Sequence, residues 1–137
     1  MAKKLKLEEQ NSADFRGLGI VSAEKDYRLC FFLNNELGLD FDKSVNIACF
    51  DPVKKKRTQV SCHIHQDLES GQELYLVKNR QESFFVVPEM KQADYLFLEP
   101  ANQPDSLKKI KNAISNVVYI QGCFIIPDQN LKHIDAE

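Results

Sequence analysis

The sequence predicts a single α+β domain over residues 1–137, an antiparallel sheet of about five to six strands with two helices packed on one face, in a loosely ferredoxin-like arrangement. A chain of 137 residues suits one domain of ordinary size. Stretches with apolar residues at every second position alternate with two stretches in which they recur every three or four residues. Residues 1–12 and 128–137 are expected to form a polar arm and a polar tail.

The first two predicted elements are a strand over residues 15–21 and a helix over residues 23–37. Ser22 is the expected N-cap, because its hydroxyl can accept a hydrogen bond from a backbone N–H group of the first turn. Gly38 suits the end of the helix, where a left-handed residue is common. Apolar side chains occupy most sides of this helix, which predicts that it is mostly buried.

Four strands are predicted in the middle of the chain. The first spans residues 45–50 and ends before a proline, which cannot donate to a strand ladder. Residues 58–66 and 73–78 have alternating apolar side chains and flank a Gly-containing turn, so they are expected to pair as a hairpin. The fourth strand is predicted over residues 84–87.

A strand over residues 95–98, a helix after Pro104 and a β-branched strand over residues 117–126 complete the predicted fold. Leu107, Ile110 and Ile114 place apolar side chains on one face of this helix. The strand–helix–strand order resembles a split βαβ unit.

Composition argues against several classes of protein. The net charge of −2, from 18 basic and 20 acidic residues, supplies no overall field for nucleic acid or anionic lipid. Neither an apolar run of about 18 residues nor a signal-peptide pattern occurs, so we expect no membrane partner and a cytoplasmic location. Because disulfides are rare in the cytoplasm, the four cysteines are expected to be reduced, and their apolar neighbours indicate that they are buried in the protein: Cys30, Cys49, Cys62 and Cys123.

Motifs for metal binding or catalysis are weak. His63 and His65 would lie on one face of a strand, but a zinc site needs three or four protein ligands, so two solvent-facing histidines are the preferred interpretation. No Gly-rich phosphate loop or catalytic-triad motif occurs. We therefore assign no catalytic residue, no metal site and no cofactor, and favour a non-enzymatic protein.

Two polar segments remain as candidate sites. A basic turn at residues 54–57 is a candidate RNA contact, although a solvated turn is the favoured interpretation because no stacking aromatic pattern accompanies it. Its members are Lys54, Lys55, Lys56 and Arg57.

The second segment, VPEMKQADY at residues 87–95, contains Pro88, Glu89, Asp94 and Tyr95. A capped turn between strands explains these residues best, with Pro88 and Glu89 suited to the start of a short helical turn. The functional alternative pairs Glu89 and Asp94 as acid and base in a cleft.

The segment VPEMKQADY resembles the IPExxxVDY signature of a family of uncharacterised small bacterial proteins of the Bacteroidetes type. Pro88, Glu89, Asp94 and Tyr95 match, while Val87 and Ala93 stand where the signature has Ile and Val. The letters DYRL at residues 26–29, LN at 33–34 and LG at 37–38 resemble a second block of the family. The resemblance implies no activity, cofactor or catalytic residue, because the family is named only for its motif.

Three functions are open from the sequence. The favoured one is an interaction or regulatory module that forms a homodimer or binds a protein partner. The second is an RNA-associated accessory protein that uses the basic turn. The third is a small-molecule sensor or enzyme centred on Glu89, Asp94 and Tyr95.

Overall fold

The protein's structure, a computed structural model, describes residues 15–136 and is built around one sheet of seven strands. The strands are β1 (Phe15–Val21), β2 (Lys43–Asp51), β3 (Lys56–Asp67), β4 (Gln72–Lys78), β5 (Tyr95–Pro100), β6 (Gly122–Ile126) and β7 (Ile134–Ala136). Two α-helices, α1 (Asp26–Leu37) and α2 (Leu107–Ile114), and two 3₁₀ turns, Pro88–Met90 and Asp128–Leu131, complete it. The predicted polar arm at residues 1–12 lies outside the described residues.

Every neighbouring pair of strands is antiparallel, in the order β6-β1-β5-β4-β3-β2-β7. Strands β2 to β5 follow one another as a meander, in which short turns join β2 to β3 and β3 to β4, whereas the longer segment 79–94 joins β4 to β5. Strands β5 and β6 lie on either side of β1 and so run in the same direction, with α2 between them in sequence. The sheet curls into a half-barrel.

The ferredoxin-like prediction with five to six strands is therefore wrong. The seventh strand lies within the segment expected to be a polar tail, where Ile134 pairs with Cys49 of β2. Leu131 and Ile134 are fully buried in this segment. Two isolated apolar residues among polar ones produce no detectable period, so the sequence pattern missed the strand that makes the sheet wider.

Three local predictions were also wrong. Residues 84–87 form a loop with one isolated bridge, between Arg80 and Phe85, instead of a strand. The last predicted strand begins only at Gly122, because residues 115–120 continue from α2 as hydrogen-bonded turns. Ser22 does not cap α1, whose N-cap is Lys25. The Ser22 hydroxyl instead donates to the carbonyl of Tyr119 and accepts from the N–H group of Glu24.

Both faces of the sheet are covered, and each carries its own apolar core. The two helices pack against one face, where the buried residues include Leu18, Ile20, Leu29, Leu33, Leu74, Leu76, Phe97, Leu107 and Ile114. Residues 79–94 and the C-terminal segment cover the other face, whose core includes Ile47, Val60, Tyr75, Val77, Val86, Val87, Leu96, Leu98, Leu131 and Ile134. Because it has a core on each side, the interior strand β5 is buried at all six residues.

Helix α1 buries only one side. Leu29, Cys30 and Leu33 face the sheet, whereas Tyr27 and Phe31 are each 60% exposed. The prediction of a mostly buried helix is thus corrected to a helix with an apolar inner face and an aromatic outer face. No helix in the described part of the chain is long and apolar enough to cross a membrane.

Candidate functional site

The motif at residues 87–95 fastens the connection between β1 and α1. The Asp94 carboxylate accepts a hydrogen bond from the N–H group of Ser22 at 2.9 Å, and the N–H group of Asp94 donates to the carbonyl of Ile20 at 2.8 Å. The Tyr95 hydroxyl donates to the carbonyl of Glu24 at 2.6 Å. Burial raises the pKa of Tyr95 to about 12, which keeps this hydroxyl a protonated donor. Asp94 and Tyr95 are thereby used by the fold itself.

Pro88 and Glu89 lie at the start of the 3₁₀ turn, and both are exposed. Glu89 occupies the first turn, where exposed N–H groups favour a negative charge. An acid–base pair of Glu89 and Asp94 has no geometric support, because the Asp94 carboxylate is bonded to the backbone of the β1–α1 connection.

Asn79 organises the motif loop and was not singled out by the sequence. It is fully buried at the end of β4, and its amide donates to the carbonyls of Met90 at 2.9 Å and Ala93 at 3.0 Å. Its side-chain oxygen accepts from the N–H group of Val87 at 2.8 Å. Asparagine after a strand is a common turn residue, so its pattern carried no signal of burial.

Gly19 on β1 allows the motif loop and β6 to approach the strand closely. A Cβ atom at this position would lie 2.5 Å from the Phe124 ring and 3.2 Å from the Cβ of Ala93. This position therefore requires glycine because there is no space for a side chain, and not because of an unusual backbone angle.

The four lysine and arginine residues of the basic turn are exposed, but they do not act alike. Arg57 forms an ion pair with Asp135 of β7, which fixes its guanidinium at the edge of the sheet. Lys54 and Lys55 lie in the turn and Lys56 begins β3. The Asp51 carboxylate shapes the turn by accepting from the N–H groups of Val53 and Lys54, at 2.9 and 3.2 Å. Of the basic run, Lys54 and Lys55 thus lie at the tip of the hairpin, and Lys56 lies next to it.

A polar cleft of about 300 Å³ lies between the start of α1 and strands β2 to β4. Within it, His63 Nε2 lies 2.9 Å from Asp26 Oδ2, and the other Asp26 oxygen accepts from the N–H group of Tyr27. The hydrogen bond from His63 is the main cause that lowers the pKa of Asp26 below its usual range. The lining also includes Ser44, Ser61, Lys78, Gln81 and Tyr95.

The two histidines therefore differ from the expected solvent-facing pair. His65 is buried, and its Nδ1 accepts from the N–H group of Asp40 at 3.0 Å, while its ring meets the edge of Phe41. His63 is half-buried beside Asp26. Among residues 15–136, no three His, Cys, Asp or Glu side chains come together in a way that could hold a metal ion.

The cysteines are free thiols, buried at Cys30, Cys49 and Cys62 and half-buried at Cys123. Burial raises the pKa of Cys30 and Cys62 to about 12, and that of Cys49 and Cys123 to about 11. All four are protonated at neutral pH, which makes them poor nucleophiles.

A group of aromatic residues on the outside of α1 is not fully buried by the fold: Tyr27, Phe31 and Tyr119 are exposed, and Phe32 is half-buried against the core under the helices. This aromatic surface consists of Tyr27, Phe31 and Phe32 of α1 together with Tyr119 from the connection between α2 and β6. Phe32 stacks on Tyr119 with ring centroids 4.4 Å apart. Phe31 and Phe32 pack edge to face, with ring centroids 5.8 Å apart. The Arg28 guanidinium lies 5.4 Å from the centre of the Phe32 ring. Next to Tyr119, the neighbouring Val118 is 83% exposed.

Sequence reasoning missed this surface because it assigned the helix to the interior and Tyr119 to a strand. A usable signal was present: apolar side chains cover more of α1 than the stripe that one sheet face can bury. Such a helix is either enclosed on all sides or has an apolar face available for binding.

Comparison with known proteins finds no relative: no protein-family model, curated protein or solved structure matches the chain.

Proposed function

We propose that this chain is a non-enzymatic protein-interaction module of the cytoplasm that docks its partner through the aromatic surface. The observation that carries the proposal is the exposure of Tyr27 and Phe31 beside the stacked pair Phe32 and Tyr119. Single exposed apolar residues are common, but a contiguous aromatic group is typical of an interaction site. Aromatic side chains such as tyrosine and tryptophan, together with arginine, also contribute most of the binding energy in many interfaces.

The internal contacts of this surface favour binding. Phe32 is held by Tyr119 on one side and by the Arg28 guanidinium at 5.4 Å, and Arg28 is in turn bonded to Glu24 at 2.8 Å. Side chains that are already ordered lose less entropy on association. The proposal extends to membership of the IPExxxVDY family, which rests on the residues of the motif, and it needs no catalytic chemistry at Asp94 or Tyr95.

Site-specific photo-crosslinking in cells tests docking directly. A benzoylphenylalanine placed at Phe31 is expected to form an adduct of one defined mass, because this ring belongs to the aromatic surface and is 60% exposed. The same group at Leu68 serves as the matched control, since Leu68 is 93% exposed in the β3–β4 turn, away from α1. The adduct should also be lost when Tyr119→Ser removes the stack under Phe32. No adduct at Phe31, or equal adducts at both positions, would reject the proposed function.

An RNA-associated role receives less support. The lysines at the basic turn are exposed, but Arg57 is held by Asp135. Phe50, which pairs with Arg57 across the hairpin and is exposed, offers one ring, whereas single-stranded nucleic acid is bound by several rings on which successive bases stack. Titration of the purified protein with structured RNA at low salt tests this role. Binding that weakens with salt and with Lys55→Glu would favour RNA over the interaction module.

A further inference from the structure

We infer that the partner of the aromatic surface is a second copy of this chain, packed so that the two α1 helices run antiparallel across a two-fold axis near Phe31 and Phe32. The inference rests on the proposed function, because it names the occupant of the same surface. A two-fold contact requires one surface patch to be complementary to itself. The aromatic residues at the middle of α1 and the charges at its two ends meet this requirement.

The aromatic residues lie where a two-fold axis would place like against like. Helix α1 spans Asp26–Leu37, so its midpoint falls between Phe31 and Phe32. Tyr27 and Phe31 are one turn apart and both point outward. An axis through the midpoint brings Phe31 of one copy against Phe32 of the other, and the aromatic rings become mutually buried at the centre of the contact.

The charges on α1 favour the antiparallel direction. Lys25 and Arg28 lie at its first turns, where the acidic Asp26 is bonded to His63. The exposed Glu36 lies in its last turn. With the axis between residues 31 and 32, positions that sum to 63 face each other, so that residue 28 faces residue 35 and residue 27 faces residue 36. Arg28 of each copy then lies beside Glu36 of the other. A parallel pair would instead place Arg28 against Arg28, which is repulsive.

The helix termini support the same direction. The last turn of α1 contains no basic residue, so its partial negative charge has no cation from its own helix. In the antiparallel pair, Arg28 and Lys25 of the second copy would supply that positive charge. Arg28 can do so while bonded to Glu24, because a guanidinium has five donors and the side chain is 52% exposed.

Charge-reversal variants in size-exclusion chromatography with light scattering test the inference. The wild-type protein is expected to be a dimer whose dissociation constant rises about tenfold in Arg28→Glu and in Glu36→Arg, because each substitution places like charges together at two symmetric positions. Equimolar mixing of the two variants should restore the dimer, since both contacts of the mixed pair then join a carboxylate to a guanidinium. Glu69→Arg is the matched control, an exposed acidic residue in the β3–β4 turn that should leave the dimer unchanged.

The mixing experiment separates this contact from a folding defect and from other surfaces. Residues 28 and 36 of one helix are about 12 Å apart along the axis, so restoration cannot come from a pair within one copy. Melting curves followed by circular dichroism identify any variant that fails to fold, and Glu36→Arg provides the reading if Arg28→Glu does. A monomeric wild-type protein, or a mixture no tighter than either variant, overturns the inference. If the protein is monomeric while Phe31 still forms an adduct of another mass, the proposed function survives without the second copy.

Discussion

At the scale of single residues, Asn79 has the largest structural role of any polar side chain in the motif region. It has no exposed surface, and it satisfies two carbonyls and one N–H group of the loop that covers the sheet. Backbone groups in a buried loop need such partners because no strand ladder is available to them. The Asn79 amide thus provides hydrogen bonds that a strand ladder would have provided if residues 84–87 had formed the predicted strand.

Replacing Asn79 with Ala should destabilise the protein by about 3 kcal/mol, since it leaves several buried backbone groups without partners. Urea unfolding followed by fluorescence or circular dichroism measures the change. Asn116→Ala is the matched control, an exposed asparagine in the turns after α2, and should change the free energy of unfolding by less than about 0.5 kcal/mol. Equal effects of the two substitutions would show that the Asn79 amide does not hold the loop.

At the scale of elements, α1 is secured by side chains at both ends. Its start is joined to β3 through Asp26 and His63. Its end has Gly38 in the left-handed region, with φ of 68°, and the Asn34 side chain accepts from the N–H group of Phe41 at 2.8 Å. These contacts set the direction in which the aromatic surface faces.

The joint between Asp26 and His63 should make stability depend on pH in acid. His63 lowers the pKa of Asp26 from its usual 3.8, so the folded state favours the ionised carboxylate. This contribution is fully present above the unfolded pKa and is lost as the pH falls through the folded pKa, below about pH 4. Asp26→Asn should therefore be less stable than wild type by less than about 1 kcal/mol at pH 6, given the exposure of the pair.

The difference between wild type and Asp26→Asn should be smaller at about pH 3 than at pH 6, because uptake of a proton by the wild-type carboxyl in acid removes this contribution. Denaturant unfolding at both pH values measures it. Asp42→Asn, an exposed aspartate just before β2, is the comparison and should show no such convergence. A gap between wild type and Asp26→Asn that stays constant or widens in acid would contradict the role given to His63.

At the scale of the whole molecule, the C-terminal segment closes one face of the sheet. Leu131 and Ile134 are completely buried in the core on that face. Strand β7 pairs with β2, and the ion pair between Arg57 and Asp135 lies at the same edge. The segment is part of the fold rather than a solvated tail.

Ile134→Ala should cost about 3 kcal/mol in the free energy of unfolding, as expected for truncating a fully buried isoleucine. Ile125→Ala is the matched control on β6, where the side chain is 52% exposed, and should cost under about 1 kcal/mol. Chemical denaturation of both variants gives the comparison. If Ile134→Ala were no worse than Ile125→Ala, the last strand would not contribute to the core.

Local patterns were sufficient wherever neighbouring residues settle the structure. The strand predicted over residues 15–21 is β1, the hairpin over 58–66 and 73–78 corresponds to β3 and β4, and Gly38 ends α1. Alternation of apolar side chains and the left-handed freedom of glycine act over a few residues, so they can be recognised in the sequence. The strand predicted over residues 84–87 was wrong, because the hydrogen bonds of Asn79 and packing in the core outweigh the strand propensity of this segment.

The sequence by itself determined a mixture of helices and strands, most of the strands and the end of α1 at Gly38. Only the tertiary structure decided which residues those side chains reach: Asp94 bonds to Ser22, and Phe32 stacks on Tyr119, both far away along the chain. It also decided that Tyr27 and Phe31 face outward, because the sheet can cover only one side of α1. Periodicity reports that a side chain is apolar, whereas packing alone determines whether anything lies against it.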